Sequence, residues 1–473
     1  MILLMGASGC MLGPDYRAPD PVLPEKWKSA REPEHALKPI SANQLKTWWK
    51  TFNDPLLNRL MEQARTSNLD LKMAFARIEQ ARAERLANRA ALFPKVGGNA
   101  AAAYLDNVIP GPKQGDNALS FFLTGFDALW EIDVFGRLRR KLEAAGAVTD
   151  SATETYRQAW VILTAELART YTNYRNLQNQ LGITQANRDS QRRTLELTEQ
   201  LFKEGVGTRY DVSRARAQTE ATEARLPLLE GQLTANQHQL ETLIGAKPGA
   251  LQMQLANAET LPETPARELL TAPADTLRYR PDGRAAERTL AAATATQGAA
   301  FAELFPKVSI AAFAGFQNSD LENLFRSTAF SWASGSAIMQ PIFNFGRIRA
   351  GIDLADARQK EAYLNYEKTV LEALRETETA MSQFLKEEQR RQKLASSITD
   401  LRESLRLADL RYREGISTFL DVLDAQRVIY IEELNLAQSQ AQTTLYLIAL
   451  YKALGGAGQL EVKPADEPIR PWG

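Results

Sequence analysis

"LTEQLFKEGVGTRYDV" (residues 197–212) and "LADLRYREGISTFLDV" (residues 407–422) are two copies of one passage: a helix end, a glycine-marked turn, and a Thr-x-x-Asp restart. Moving outward, "FGR" at 135–137 recurs at 345–347 and "LIGA" at 243–246 corresponds to "ALGG" at 453–456, all displaced by 210 positions. "LFPKV" recurs as well, at 92–96 and 304–308, displaced by 212, so the two-residue difference lies before "FGR". Self-similarity at a fixed displacement marks a structural repeat. The chain therefore reads as two units, 61–246 and 276–456, joined by a Pro-containing linker over 247–275.

Each unit follows one order of elements. An Ala/Arg/Glu-rich helix over about 62–92, or 276–303, stops before the proline of "LFPK", as helices do. Two strand-like stretches follow, 95–108 with 117–132 and 307–318 with 328–343, and they read as β-hairpins. The segments 137–204 and 347–414 contain no proline and only Gly146, Gly182 and Gly351 as interior glycines. Some 65 residues at 1.5 Å each predict about 100 Å of uninterrupted helix, far beyond the globular mean. A return helix, 208–245 or 418–454, completes each unit, with a kink expected at Pro227. Return helix and first helix together match the long helix in length, so they are expected to stack end to end beside it. The apolar stripes are narrow, as in helices that pack closely and keep a wet face. Four strands cannot close a membrane barrel, which needs about eight, so a transmembrane reading requires strands from several chains.

Composition excludes much. Of 473 residues, 57 are basic and 57 acidic, which leaves no field to attract nucleic acid. The single cysteine, Cys10, rules out a disulfide framework, and His35 and His238 stand alone, so no metal cluster is implied. No apolar run is long enough for a transmembrane helix. GxSxG, P-loop, dinucleotide and HExxH patterns are missing, so the chain is not read as an enzyme and no cofactor is implied. Residues 1–9 read as the remnant of a secretory signal, "ASGC" resembles a lipobox ending in Cys10, 10–60 reads as an extended N-terminal tether, and 457–473 as a tail.

With these pieces assembled, the chain resembles the TolC-type outer-membrane efflux factors, in particular the lipid-anchored branch that partners resistance-nodulation-division pumps. The resemblance rests on "WWKTFNDPLLNRLMEQARTSNLDL", "RPDGRAAERTLAAATATQGAAFAELFPKVSI", the paired "FGR" turns, "RYREGISTFLDVLDAQR" and "YKALGGA". It implies a mainly α fold with a small β part: a homotrimer whose long helical hairpins form a periplasmic α-barrel tunnel and whose strands, four per chain, form a 12-stranded outer-membrane β-barrel. It implies an adaptor protein and an inner-membrane pump as partners, acylation at Cys10 with Met11 directing passage to the outer membrane of a Gram-negative cell, and multidrug efflux as the process. The implied function is a passive exit duct gated at its periplasmic tip. Type I protein secretion, heavy-metal efflux and, in another class, a pore-free periplasmic scaffold are the alternatives.

The resemblance places the gate on Asp421, Asp424, Arg427, Asp211 and Tyr412, with Ser417 standing where the best-known branch has arginine. Thr418-x-x-Asp421 and Thr208-x-x-Asp211 also fit helix capping boxes, which accounts for Asp421 and Asp211 structurally. Capping does not account for Asp424 and Arg427, whose repeat mates are Arg214 and Ala217. Three residues apart, Asp421, Asp424 and Arg427 fall on one helical face. Under threefold symmetry they would ring an opening with carboxylates, and Arg427 is suited to pairing with Asp211 of a neighbouring hairpin. Phe121, Phe122, Phe126, Trp130, Phe330 and Trp332 are expected at lipid-facing or interfacial strand positions, with their facing open.

Overall fold

The computed structural model describes residues 11–21, 23–25, 27–28, 42–105, 119–256 and 278–462. Cys10, His35 and the final tail from 463 onward lie outside the described residues. In chain order the elements are α1 (Ala42–Lys46), a 3-10 turn (Trp48–Phe52), α2 (Pro55–Ser67), α3 (Leu69–Ala90), β1 (Lys95–Leu105), β2 (Leu119–Ile132), α4 (Arg137–Lys203), α5 (Arg209–Glu223), α6 (Arg225–Leu243) and α7 (Gln252–Leu255). There follow α8 (Pro281–Ala302), β3 (Lys307–Asn318), β4 (Phe330–Met339), α9 (Arg347–Arg413) and α10 (Phe419–Ala453). The long proline-free segments are single 67-residue helices, α4 and α9. The first return helix breaks at Ala224, because Pro227 has no N–H to give the carbonyl of Glu223.

The chain divides into two compact units. One comprises Met1–Asp20, Ala76–Thr153 and Ala285–Lys368; the other comprises Pro21–Phe75, Glu154–Arg284 and Thr369–Gly473.

The second unit holds the main apolar core, and here the expectation of an extended tether over 10–60 is corrected. Trp48, Trp49 and Phe52 are buried, with Trp48 stacked on Tyr451 at 5.0 Å and Trp49 edge-on to Trp160 at 5.9 Å. The 3-10 turn that carries them has no helical period to read, which is why the sequence hid it. Asp54 starts α2 by accepting the Leu56 and Leu57 N–H groups at 2.8 and 2.9 Å, with Pro55 in the first helical position. Its other oxygen accepts the Tyr171 hydroxyl at 2.7 Å, and Arg175 Nε donates to that hydroxyl at 3.0 Å, so the buried polar atoms satisfy one another.

The expected single helix over 62–92 is in fact two, α2 and α3, parted at Asn68. Asn68 leaves the helical conformation, caps α3 by accepting the Leu71 N–H at 2.9 Å, and donates Nδ2 to the Leu243 carbonyl at 2.9 Å. Its repeat mate is Arg280, displaced by 212, and Arg280 Nη1 donates at 2.9 Å to the carbonyl of Ala453, the mate of Leu243. Each repeat thus splices its return helix to its first helix by one side chain on an orphan C-terminal carbonyl. Arg280 is held in turn by Asp282 at 2.5 Å and Glu376 at 2.9 Å.

The first unit carries a four-stranded antiparallel sheet in the order β1-β2-β3-β4. The register resolves the facing that the sequence left open. Even-numbered residues oppose even-numbered ones throughout, as in Phe126 with Gly98 and Ala314, and Ala314 with Trp332. Side chains alternate along a strand, so Phe122, Phe126, Trp130, Phe330 and Trp332 share one face and Phe121 lies on the other. Among the described strand residues the charged ones, Lys95, Asp127, Glu131 and Lys307, are all on the odd face, and the even face carries no charge. At the sheet's helical rim Arg137 forks onto Glu131 at 2.7 and 2.8 Å, and Phe135 stacks on Phe305 at 5.1 Å.

The segment from Met11 to Asp15 straps this unit. Arg140, almost wholly enclosed, donates Nε to the Leu12 carbonyl at 3.1 Å and pairs with Asp15 at 2.7 Å and Glu143 at 2.8 Å. Gly13 lies so close to Gly298 that a Cβ on Gly13 would sit 2.5 Å from the Gly298 Cα. A side chain at either position would push the strap away.

Candidate functional site

The two turns that open the sequence argument both belong to the second unit and are built alike. Gly205 and Gly415 adopt φ of +79° and +71°, the left-handed region glycine favours. Gly205 N–H bonds the Phe202 carbonyl and Val206 N–H the Leu201 carbonyl; Gly415 and Ile416 do the same to Tyr412 and Arg411. This paired closure is the Schellman arrangement, which satisfies the last carbonyls of the long helices and turns the chain back. Val206 and Ile416 stand exposed at the turn tips.

The next helices restart through Thr208 and Thr418. Asp211 accepts the Thr208 N–H at 3.3 Å and its hydroxyl at 2.6 Å, while its own N–H reaches Thr208 Oγ1 at 3.2 Å. Asp421 accepts the Thr418 N–H at 3.1 Å and its hydroxyl at 3.2 Å. Both aspartates therefore perform the capping expected of them; Asp421 is exposed and Asp211 half-buried.

Beyond the cap, Asp421, Asp424 and Arg427 are all exposed on α10, and Val422, Gln426, Ile429 and Tyr430 on the same stretch are buried. The three charges share the outward face that their spacing requires. Arg427 Nη2 pairs with Asp424 at 2.8 Å within the helix. Both side chains of that pair are about three-fifths exposed, 61% and 59%, which limits its worth to about 0–1 kcal/mol.

Tyr412 is half-buried against Phe419, ring centres 5.4 Å apart. Burial, and next the negative charge of Asp211, push its hydroxyl above the ordinary tyrosine range. The electrostatic influence of Asp211 on Tyr412 links the first turn to the second within one chain. Ser417 is half-buried, and its Oγ is enclosed without a hydrogen-bond partner among the described residues.

Behind the charged face runs a polar seam between α4 and α10 that sequence reasoning missed. Gln426 Nε2 donates to Thr194 Oγ1 at 3.0 Å, the Tyr430 hydroxyl meets Thr184 Oγ1 at 3.2 Å, and Asn176 and Gln180 both reach Gln438. Arg225 covers the Tyr430 ring at 5.5 Å. Gln191, 2% exposed, has both amide ends without a partner among the described residues. The signal was there to find: Gln426, Tyr430 and Gln438 recur at four and eight positions, one face of a helix. Among the described residues no acidic or histidine cluster suits a metal, and no helix is long and apolar enough to cross a membrane, which says nothing of a β-barrel.

A family model described as outer membrane efflux protein matches residues 60–246 and 272–456. The toluene efflux pump outer membrane protein TtgI of Pseudomonas putida is 32% identical over 96% of this chain and 97% of its own length. Nodulation protein T of Rhizobium leguminosarum bv. trifolii is 30% identical over 95% of this chain and 94% of its own. Among solved structures, the outer-membrane channel OprN superposes with a TM-score of 0.89 at 37% identity, covering 94% of this chain and 99% of that one.

Proposed function

The chain belongs to the outer membrane efflux protein family and is an outer-membrane efflux channel; on that premise we propose that three copies assemble into one duct gated at the Thr208 and Thr418 turns. Each copy gives four strands to a common barrel, with the charge-free even face, including Phe126, Trp130 and Trp332, toward lipid. The helical hairpins line a periplasmic tunnel, an adaptor docks it to a resistance-nodulation-division pump, and an acylated Cys10 anchors the chain. Solutes pass without chemistry on this protein, and the pump selects the cargo.

The observation that carries the gate is the exposed face of α10, where Asp421, Asp424 and Arg427 project together while the opposite face is buried. Three such faces around an opening concentrate cations and repel anions. Tyr412, at the same turn, and Asp211, at the neighbouring one, are the remaining parts of the latch. Pairs this exposed are weak, so an adaptor needs little binding energy to rearrange them. Planar-bilayer recordings of the Asp424→Ala and Arg427→Ala channels test the reading. Asp424→Ala should lose cation preference and Arg427→Ala should gain it and open more readily. Conductance and ion selectivity equal to those of the unmutated channel in both variants would remove these residues from the gate.

A further inference from the structure

A cavity of about 390 Å³ lies in the first unit, between α3, α4 and α8. Small apolar side chains form its floor, among them Ala81, Ala144, Ala145 and Ala299. Its rim carries Glu84 and Asn88 from α3, Lys141 from α4, Thr296 from α8, and Glu303 just past the end of α8. That volume is within the range of ligand pockets, whose usual make-up is an apolar lining with a few polar groups. The side on which it opens follows from Glu303. Lys307 pairs with Glu303 at 2.7 Å, and Arg137 reaches it at 3.5 Å while forking onto Glu131, so the rim joins the charged odd face of the sheet. Thr296, Ala300 and Glu303, at steps of four and three, share one face, and Gly298, which seats the strap, lies on the opposite one. With the even face toward lipid, the cavity opens into the bore of the duct.

The rim is only partly neutralised from within. Glu131 is paired with Arg137 and Glu303 with Lys307, whereas neither the Glu84 carboxylate nor the Lys141 ammonium has a partner among the described residues. Asn88 donates Nδ2 to the Glu84 carbonyl at 2.9 Å, and Thr296 donates its hydroxyl to the Ala292 carbonyl at 2.8 Å, so both keep acceptor oxygens to spare. What remains is one cation on α4 and a carboxylate with acceptor oxygens beside it, over an apolar floor. The internal repeat shows that helix packing alone does not demand this arrangement. Glu84, Lys141 and Glu303 have the mates Thr296, Gly351 and Ala91, and Ala144 and Val148 have Leu354 and Arg358. Every charge on the rim, and two small side chains that leave the room, are changed in the mate.

We propose that the cavity is a wall site for a drug-sized zwitterion, its apolar body on the alanine floor, its ammonium group at Glu84 and Asn88, and its acid group at Lys141. It rests on the duct reading above for the direction of opening, and it gives that duct a place where passing solute pauses. Glu84 and Lys141 are exposed, so the hold is weak and exchange is fast, as conduction requires.

Fluorescence titration of the full-length, detergent-solubilised protein with Nε-dansyl-lysine, a zwitterion on an apolar ring system, tests the site. Binding should saturate with a blue-shifted emission. Ala144→Leu, which installs the residue of the mate position, should fill the floor and weaken binding about tenfold while conductance in planar bilayers holds. Glu84→Gln and Lys141→Met, both on the surface, should each weaken it about threefold to fivefold, the worth of an exposed pair. Nα-acetyl-Nε-dansyl-lysine lacks the ammonium group and the methyl ester of Nε-dansyl-lysine lacks the acid. Glu84→Gln should therefore cease to distinguish the parent probe from the acetyl form, and Lys141→Met should cease to distinguish it from the ester. Equal affinity of the unmutated protein for all three probes would overturn the zwitterion, and saturation untouched by all three substitutions would overturn the site. No saturable binding to a channel that conducts would overturn the site and leave the duct standing. The expected pattern in a protein that does not conduct would keep the site and overturn the duct.

Discussion

Arg280→Met should destabilise the protein far more than removal of any exposed arginine, because Arg280 is the splice of the second repeat. Its side chain is 6% exposed and serves the Ala453 carbonyl, Asp282 and Glu376. Losing it strips the carbonyl of its strong donor and leaves only the 3.4 Å contact from Thr377 Oγ1. An unsatisfied buried carbonyl costs about 1–3 kcal/mol. Breaking a fully buried ion pair would cost about 3–5 kcal/mol. Asp282 and Glu376 are 25% and 41% exposed, so water solvates the stranded carboxylates and this part falls to about 1 kcal/mol. The sum is about 2–4 kcal/mol. Asn68→Ala, which removes the Leu243 contact and the cap of α3 together, belongs in the same range by the same reasoning. Arg402→Met is the control, since Arg402 is 67% exposed and pairs only across the surface with Glu433 at 3.0 Å. Guanidinium unfolding of the detergent-solubilised protein, followed by the fluorescence of Trp48, Trp49 and Trp160, should shift to clearly lower denaturant for Arg280→Met and Asn68→Ala and barely move for Arg402→Met. Equal midpoints for Arg280→Met and Arg402→Met would refute the splice.

Glu241 makes a pH prediction. Burial raises its carboxyl, but hydrogen bonds from the Leu251 N–H, Gln237, His238 and the Gly249 N–H outweigh that and hold it at about 2. A depressed folded-state value stabilises above the unfolded value, so about 3 kcal/mol is present above about pH 4.5 and is lost as pH falls through about 2. Glu241→Gln should remove most of this at neutral pH and lower the guanidinium unfolding midpoint there, while the two proteins converge as pH falls toward 2. Gly298→Val should lift the Met11–Asp15 strap, since its Cβ would lie 2.9 Å from Arg140 Nε, and cleavage after Arg17 should quicken while the unfolding midpoint of the core tryptophans holds.

The parts of this fold that were legible in sequence are those set by local backbone chemistry. Absence of proline gave α4 and α9, glycine at 205 and 415 gave the turns, and Pro227 placed the break at Ala224 within a turn of helix. What stayed hidden depends on distant partners. Asn68 is an unremarkable residue within a helical pattern until the Leu243 carbonyl, 175 positions away, takes its amide. Trp48 and Trp49 sit among residues without periodicity, and only Tyr451 and Trp160 make them core. The facing of Phe122 and Trp332 needed strand register, which imperfect alternation could not supply. At the turns, spacing put Asp421, Asp424 and Arg427 on one face, but the pairing of Arg427 with Asp424 and the polar seam beneath them follow from which side chains α4 presents.

The strap has a consequence for how the protein is made. Tyr16 donates to Glu287 across 271 positions of sequence, and Gly13 needs the bare backbone of Gly298. A ribosome delivers Leu12 first of all these residues, yet its resting place does not exist until α8 has emerged and docked. The earliest described residues are thus among the last to settle, held off by a loop closure spanning more than half the chain. Until then the N-terminal segment remains free for whatever processing it undergoes, and its docking becomes a report that both repeats have folded.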